Sequence, residues 1–248
     1  MSHRPRTLAL IPAWNEAPTI RAIAHGALAQ TDGVIVVDDG STDGTAEALE
    51  GLAVEVLRGT ERAGKSARLA EGLAHAFASG ADAVITLDAD GQHDPAAIPA
   101  FLETATAAPD ALILGDRSAD MAQMPPSRAR WIRFGNFFIG WACRQRIHDA
   151  QCGFRLYPRA VWEAVRPRLR AADTRHFVFE TAAMIHAADA GFALRTVPVD
   201  ARYDGFVLRP SRYEPVRDGL RIAAMVTRFL VTRGFRPRGA LIVLGLIR

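Results

Sequence analysis

The chain has 248 residues, of which 49% are hydrophobic. That is enough for one large α/β domain or two small ones. Two cysteines exclude a disulfide framework, and no run reaches the roughly 18 apolar residues that a membrane span needs. The formal charge of +3 is unevenly laid out: residues 128–170 and 202–238 are rich in Arg, and Lys65 is the only lysine. This suits phosphate, on a ligand or on an anionic membrane, better than nucleic acid, for which no recognition helix or aromatic-basic alternation stands out.

Ser2–Arg6 runs straight into Thr7–Ile11, a short apolar strand, with no signal peptide; this predicts a reducing, cytoplasmic setting. Pro18–Leu28 carries Ile20, Ile23, Ala24, Ala27 and Leu28 at helical spacing. Gly33–Val37 reads as a second strand, stopped by Asp38-Asp39-Gly40-Ser41, with a helix over about 44–51 capped by Thr42 or Asp43. Ala53–Leu57 is a third strand, Ser66–Ser79 a helix, Val84–Leu87 a fourth strand, Ala96–Thr106 a helix and Ala111–Leu114 a fifth strand. Such alternation predicts a mostly parallel sheet covered on both faces, with ligands at the carboxyl ends of its strands. Pro12, Asp38-Asp39, Asp88 and Gly115-Asp116-Arg117 all fall at such ends, which argues for one shared cleft.

Beyond residue 120 the alternation fails. Met121–Pro126 reads as a loop. Arg128–Cys143 is a helix in which Trp131, Phe134, Phe137, Phe138 and Trp141 mix with Arg128, Arg130 and Arg133. Phe177–Ala190 reads as a helix, Phe192–Val199 as a strand, Pro215–Thr232 as a long basic amphipathic helix and Arg233–Arg238 as a basic turn. Ala240–Ile247 is apolar but too short to cross a bilayer; a truncated span, a buried strand and a surface anchor all fit it. The predicted organisation is one domain over 1–210 and a basic amphipathic extension over 211–248, able to associate with a membrane.

The most informative residues are Asp88-Ala89-Asp90. They end the fourth strand, which Gly91 breaks, so both carboxylates are expected to face the same way, ~6.6 Å apart at Cα. They repel each other unless a cation sits between them, and a hard divalent ion carrying a ligand's phosphates suits that place. Gly59-Thr60-Glu61-Arg62-Ala63-Gly64-Lys65-Ser66 also matches the P-loop pattern, after a strand and before a helix, so a nucleotide-hydrolysing or phosphotransfer enzyme is a rival reading. It leaves Asp90, Gln92 and Arg117 without work. Asp38–Ser41 is also readable as a plain turn, His93 as a loop residue, and Arg155 with Glu180 as either a structural ion pair or part of an acceptor site. Cys143, His148 and Cys152 lack a fourth ligand for zinc.

Ile11–Glu16, Val36–Asp43, Gly64-Lys65-Ser66, Leu87–Gln92, Gly115-Asp116-Arg117 and Gln151–Arg155 occur in the order seen in family 2 glycosyltransferases of the GT-A fold. Within them the chain resembles the polyprenyl-phosphate sugar synthases. The resemblance implies a metal-dependent, inverting transfer of a hexose, mannose by preference, from a GDP- or UDP-sugar to a polyprenyl phosphate, with a saccharide or lipid-linked glycan as the alternative acceptor. It implies that Pro12, Trp14, Glu16, Val37, Asp39 and Lys65 border the nucleotide sugar, that Asp88, Ala89 and Asp90 bind diphosphate and metal (Mg²⁺ or Mn²⁺), and that Gln92 is a further metal ligand. Asp90, Arg117 and Arg202 would serve catalysis, Arg117 and Arg202 through phosphate or sugar. Arg130 and Arg133 are the candidates for the acceptor phosphate. The enzyme would work peripherally on the inner face of the membrane.

Overall fold

The structure is a computed structural model and describes residues 4–119, 126–174, 178–200 and 215–247. Its strands are β1 (Thr7–Ala13), β2 (Val34–Asp38), β3 (Val54–Arg58), β4 (Ala83–Thr86), β5 (Ala111–Asp116), β6 (Arg155–Pro158) and β7 (Ala193–Pro198). They form one sheet in the order β3-β2-β1-β4-β6-β5-β7. All neighbours are parallel except β6, which is antiparallel to both β4 and β5. The helices are α1 (Ala17–Leu28), α2 (Lys65–Ala78), α3 (Ile98–Ala107), α4 (Pro126–Cys143), α5 (Arg159–Val165), α6 (Phe179–Asp189), α7 (Pro215–Thr232) and α8 (Pro237–Leu244).

Side chains alternate across the sheet, as a period of two requires. Leu8, Leu10, Ile35, Val37, Val84 and Leu114 face a core shared with α2, α4, α6 and α7. Ala9, Ile11, Val36, Ile85 and Ile113 face the opposite core, under α1 and α3. Helices thus cover both faces of a mostly parallel sheet. Residues Met225, Val226, Phe229 and Leu230 of α7 belong to the same cluster as Leu8 and Leu10. Glycine lets α2 approach the sheet closely, because a Cβ at Gly72 would lie 2.4 Å from Leu10 Cδ1.

Several elements differ from the sequence expectation. No α-helix forms over 44–51, only a 3-10 turn at Glu47–Leu49, because Thr45 and Asp43 turn back to α1: Thr45 Oγ1 accepts from Glu16 N at 2.8 Å and Asp43 Oδ2 from Ala17 N at 3.2 Å. β4 stops at Thr86, so Asp88 and Asp90 lie on a turn and not on a continuing pleat. β6 and α5 are elements the sequence did not announce. Apart from Pro126, the loop expected at Met121–Pro126 lies outside the described residues.

At the carboxyl edge β1 and β4 part. Their pairing ends at Leu10 and Thr86, and Pro12, which has no N–H to give, follows. β1 has β2 on one side and β4 on the other. This is the switch point at which open α/β sheets bind ligands.

After α7 the chain turns sharply into α8. Gly234, Phe235 and Arg236 all have positive φ, a conformation that costs a non-glycine residue about 1 kcal/mol or more. The turn is clamped from outside: Asp189 receives both Arg233 (2.5 Å) and Arg236, and Trp141 Nε1 donates to Phe235 O at 2.7 Å. α8 lies against the end of α4, where a Cβ at Gly239 would meet Trp141 O at 2.5 Å. Among the described residues, no helix is long and apolar enough to cross a membrane.

Candidate active site at the carboxyl ends of the strands

The loops after β1 and β2 are tied to each other. Asn15, in the left-handed region with φ of 54°, gives its N–H to Ser41 Oγ and accepts Thr42 N at Oδ1, both at 2.8 Å. Asp38 Oδ1 accepts Ser41 N at 2.9 Å and shapes that turn. Pro12 pairs in register with Val37, and Glu16 closes the loop before α1. The Trp14 ring lies under Arg62, whose Cζ is 3.6 Å from the ring centroid. A half-buried aromatic ring at a cleft edge, already stacked by a cation, offers a flat surface to a planar ligand.

Asp39 is buried, and its carboxylate organises the loop after β3. It accepts Ala63 N (2.6 Å), Gly64 N (2.9 Å) and Arg68 Nε (2.9 Å). This bears on the P-loop match. A phosphate cradle needs free backbone N–H groups, whereas those of Ala63 and Gly64 are spent on Asp39.

Lys65 begins α2 and reaches Asp88 Oδ1, with Nζ 2.5 Å away. Burial works to raise the Asp88 carboxyl, but the Lys65 ammonium, with His93 and Arg117, outweighs it and holds the group at about 2. Asp90 moves the other way, raised by burial and by the charge on Asp88. One carboxylate is neutralised and its neighbour repelled, so a second positive charge is favoured beside Asp90. The turn that carries them is fixed by Thr19 Oγ1, which donates to Ala89 O at 2.6 Å. Gln92 N donates to Asp90 Oδ1 at 3.0 Å, and Gly91 supplies a φ of 82°.

His93, which the sequence left as a loop residue or ligand, is buried. Its Nδ1 accepts Asp88 N at 3.1 Å, and its Nε2 faces Cys152 Sγ at 3.7 Å. Burial depresses it to about 4 despite Asp88, so it is a neutral imidazole protonated on Nε2. Burial likewise pushes the Cys152 thiol up to about 12. Cys152 therefore pairs with His93, while His148 lies near Asp116 instead (3.4 Å), and the three candidate zinc ligands do not converge. Among the described residues no group of three His, Cys, Asp or Glu is ready-made for a metal.

Arg117 follows β5 and is gripped by Asp149, a residue the sequence did not single out. Arg117 Nε reaches Asp149 Oδ2 at 2.8 Å and Nη2 reaches Oδ1 at 3.3 Å. Burial opposes the charge on Arg117, but Asp149 more than offsets it and raises the group. The Asp149 loop is in turn held by Asn136 of α4, whose Oδ1 accepts Ala150 N at 3.2 Å. Arg155 does not pair with the Glu180 carboxylate: its guanidinium donates to the carbonyls of Cys152, Glu180 and Ala150. Glu180 instead faces Lys65 at 3.5 Å.

The structure thus gathers Lys65, Asp88, Ala89, Asp90, Gln92 and Arg117 at one edge, with Pro12 and Val37 beside them on β1 and β2 and Trp14, Glu16 and Asp39 just past the ends of those strands. Arg130 and Arg133 are exposed on α4, and no described ion pair joins them to this cluster. Arg202 lies outside the described residues.

A mostly parallel sheet with one reversed strand, and acidic and basic groups gathered at its carboxyl edge, is the GT-A architecture. Glucosyl-3-phosphoglycerate synthase from Mycobacterium tuberculosis, solved with Mn²⁺, UDP and phosphoglyceric acid, superposes with a TM-score of 0.65 over 92% of this chain and 78% of its own, at 20% identity. Residues 9–166 match glycosyl transferase family 2. The polyprenol monophosphomannose synthase of Mycolicibacterium smegmatis is 31% identical over 78% of this chain and 76% of its own. The undecaprenyl-phosphate mannosyltransferase of Micrococcus luteus is 28% identical over 78% and 82%. The chain belongs to glycosyl transferase family 2, and it is a glycosyltransferase.

Proposed function

We propose that the enzyme transfers a hexose, mannose by preference, from a nucleotide sugar to a polyprenyl phosphate, with a divalent ion held by Asp88, Asp90 and Gln92. The observation that carries this reading is the Lys65–Asp88–Asp90–Arg117 cluster at the β1/β4 switch point, where charge is arranged for a diphosphate. The relatives named for polyprenol and undecaprenyl phosphate support the acceptor and the sugar.

The residues present suit a hard cation. Two carboxylates and an amide are oxygen donors, and the raised Asp90 gains from a positive neighbour. When bound, Mg²⁺ or Mn²⁺ would supply charge neutralisation on the departing diphosphate. Trp14, Glu16 and Asp39 would seat the nucleoside, over Val37, whose side chain is itself buried in the core. Arg117, fixed by Asp149, would stabilise charge growing on the diphosphate, with Arg202 as its partner. Ala89 lies on the turn between the two carboxylates, where its backbone would border the phosphates. A phosphate acceptor is already largely ionised near neutral pH and needs placing more than deprotonating. The neutral, enclosed His93 fits that picture, because it is not a base in contact with solvent. Arg130 and Arg133 would take the acceptor phosphate.

The membrane-facing part of the reading rests on α4, α7 and α8. Phe134, Leu220, Val231, Phe235, Leu241, Leu244 and Leu246 are the exposed large hydrophobics among the described residues, and all lie on these helices, in the turn between α7 and α8, or just past α8. Residues 126–147 and 219–247 contain ten arginines and no acidic residue. An apolar surface rimmed by cations suits an anionic lipid interface. The proposed setting is peripheral, on the inner face of the membrane, with residues 211–248 as the part that meets lipid.

Thermal unfolding with GDP, UDP, dTDP and ATP, each with and without Mn²⁺, tests the donor half. A ligand at ~100 times its dissociation constant adds ~2.7 kcal/mol. The expected result is metal-dependent stabilisation by GDP or UDP with ATP inert, abolished in Asp90→Asn. Stabilisation by ATP that disappears in Lys65→Ala would overturn the proposal in favour of the P-loop reading.

A further inference from the structure

Lys65 stands between two carboxylates that are not equivalent. Its Nζ lies 2.5 Å from Asp88 Oδ1 and 3.5 Å from Glu180 Oε1. Glu180 sits in the first turn of α6 and is buried. Its Oε1 accepts no hydrogen bond, a costly state for a buried carboxylate. Arg155 runs alongside without relieving it, because its guanidinium is committed to three backbone carbonyls. The lysine is packed against the Gly153 backbone, where a Cβ would come within 2.9 Å of Nζ and 2.7 Å of Asp88 Oδ2. One ammonium therefore serves Asp88, Glu180 and, at longer range, Asp90.

An ammonium and a divalent ion compete for the same carboxylate oxygens and repel each other when both are near. If Asp88 takes a metal, Lys65 must leave Asp88 Oδ1. Glu180 Oε1 accepts no hydrogen bond, is buried, and already lies 3.5 Å from the Lys65 ammonium. We propose that Lys65 holds the place of the divalent ion on Asp88 in the metal-free enzyme, and that Glu180 is the seat to which its ammonium moves when the ion arrives. Glu180 is then a positioning residue that acts through Lys65. The exchange keeps Asp88 neutralised before the metal binds, and it satisfies the Glu180 carboxylate only afterwards. The proposal rests on the reading of Asp88 and Asp90 as metal-binding carboxylates.

The test is Mn²⁺ binding to the nucleotide-free full chain, by titration calorimetry, in wild type, Lys65→Met, Glu180→Gln and the double variant, with metal-free unfolding temperatures recorded for each. Removing the competitor in Lys65→Met should tighten Mn²⁺ binding about tenfold, and Glu180→Gln should weaken it about tenfold. In the double variant the Glu180 effect should vanish, leaving the affinity of Lys65→Met. Lys65→Gln carries the same comparison if the Met variant does not fold. A Glu180 effect of equal size with and without Lys65 would mean that Glu180 acts by its charge alone, and would overturn the seat while leaving the metal site standing. Failure of all four proteins to bind Mn²⁺ would overturn the seat together with the metal reading beneath it.

Discussion

Residues 4–119 and the helices α4, α7 and α8 solve opposite problems on one core. In the first region the large hydrophobics are covered, and the charges are paired at strand ends: Arg68 with Asp39, Lys65 with Asp88. In the second, seven large hydrophobics are exposed among arginines. The first region has the surface of a protein that recognises a charged, water-soluble ligand. The second has a surface poorly suited to water on every side. Phe229 and Leu230 of α7 belong to the same buried cluster as Leu8 and Leu10 of β1, so the two regions share one core. On the proposed function, such a molecule would hold a soluble donor and a lipid-borne acceptor over one core.

The sharpest way to break the comparison is to unmake the polar side alone. Arg117 is gripped in a fork by Asp149, and Lys cannot reproduce two parallel donors. Arg117→Lys should lower kcat by about 10²–10³-fold, the usual loss when a fixed donor to a developing anion is removed. Asp149→Asn should cost less, about tenfold, because the guanidinium remains but is no longer held. Binding to lipid vesicles should not change in either variant. A vesicle-binding defect in Arg117→Lys would mean that the two regions are not separable.

Acid should divide the regions as well. His93 is depressed to about 4, so in the range from about 6.5 down to 4 the unfolded chain takes up a proton that the folded chain refuses. Stability is full above pH 6.5 and falls as pH drops through this window, by roughly 3 kcal/mol in all. The counterpart in the second region is Asp173, which accepts Arg228 of α7 at 2.9 Å. Burial works to raise it, but His186 nearby (3.9 Å) and hydrogen bonds from the Arg170 backbone N–H and Arg228 outweigh burial and hold it at about 2. Its contribution is present above pH 3.8 and is lost only as pH falls towards 2. Metal-free unfolding temperatures between pH 7 and 4.5 should therefore slope in wild type and in Asp173→Asn, and flatten in His93→Gln. An unchanged slope in His93→Gln would refute the assignment.

What the sequence disclosed about these regions follows from the range of the forces involved. Strands ending in Asp38-Asp39 or at the approach to Asp88 are legible because an apolar run followed by polar residues is a local pattern, and the strand-helix alternation gives the sheet. β6 was invisible because Arg155-Leu156-Tyr157-Pro158 holds an arginine and a proline; Arg155 is buried only because three carbonyls receive it. Asp149 and Arg68 were missed for a similar reason, and Glu180 was read with Arg155 when its carboxylate faces Lys65. Their meaning lies in partners tens of residues away, such as Arg117 for Asp149, and no spacing rule announces such a pair. The helix expected at 44–51 fell to the same cause, since the Thr45 and Asp43 side chains answer to α1.

The smallest expected effect falls on the apolar side. Leu244 and Leu246 are 58% and 67% exposed, beyond the clamp in which Asp189 and Trp141 hold the strained 234–236 turn. Along α4 an aromatic ladder runs from Phe134 through Phe138 to Trp141, with ring centroids 4.9 and 5.9 Å apart, and Trp141 holds the turn that leads into α8. The ladder and α8 are joined through Trp141, and together they make up the apolar strip proposed to meet lipid. Replacing both leucines by Asp removes apolar area from that strip and adds charge of the sign that anionic lipid repels. Partitioning onto phosphatidylglycerol vesicles should fall about tenfold, since each leucine inserted is worth at least about 1.5 kcal/mol when fully buried and less at an interface. Transfer to a short, water-soluble prenyl phosphate should hold within about twofold, as the change is far from Asp88 and Arg117 in the chain and leaves the clamp intact. Equal loss on soluble and vesicle-borne acceptor would show that α8 supports the fold and not the lipid surface. Selective loss on vesicles would assign the strip to the membrane and leave the polar edge to the donor.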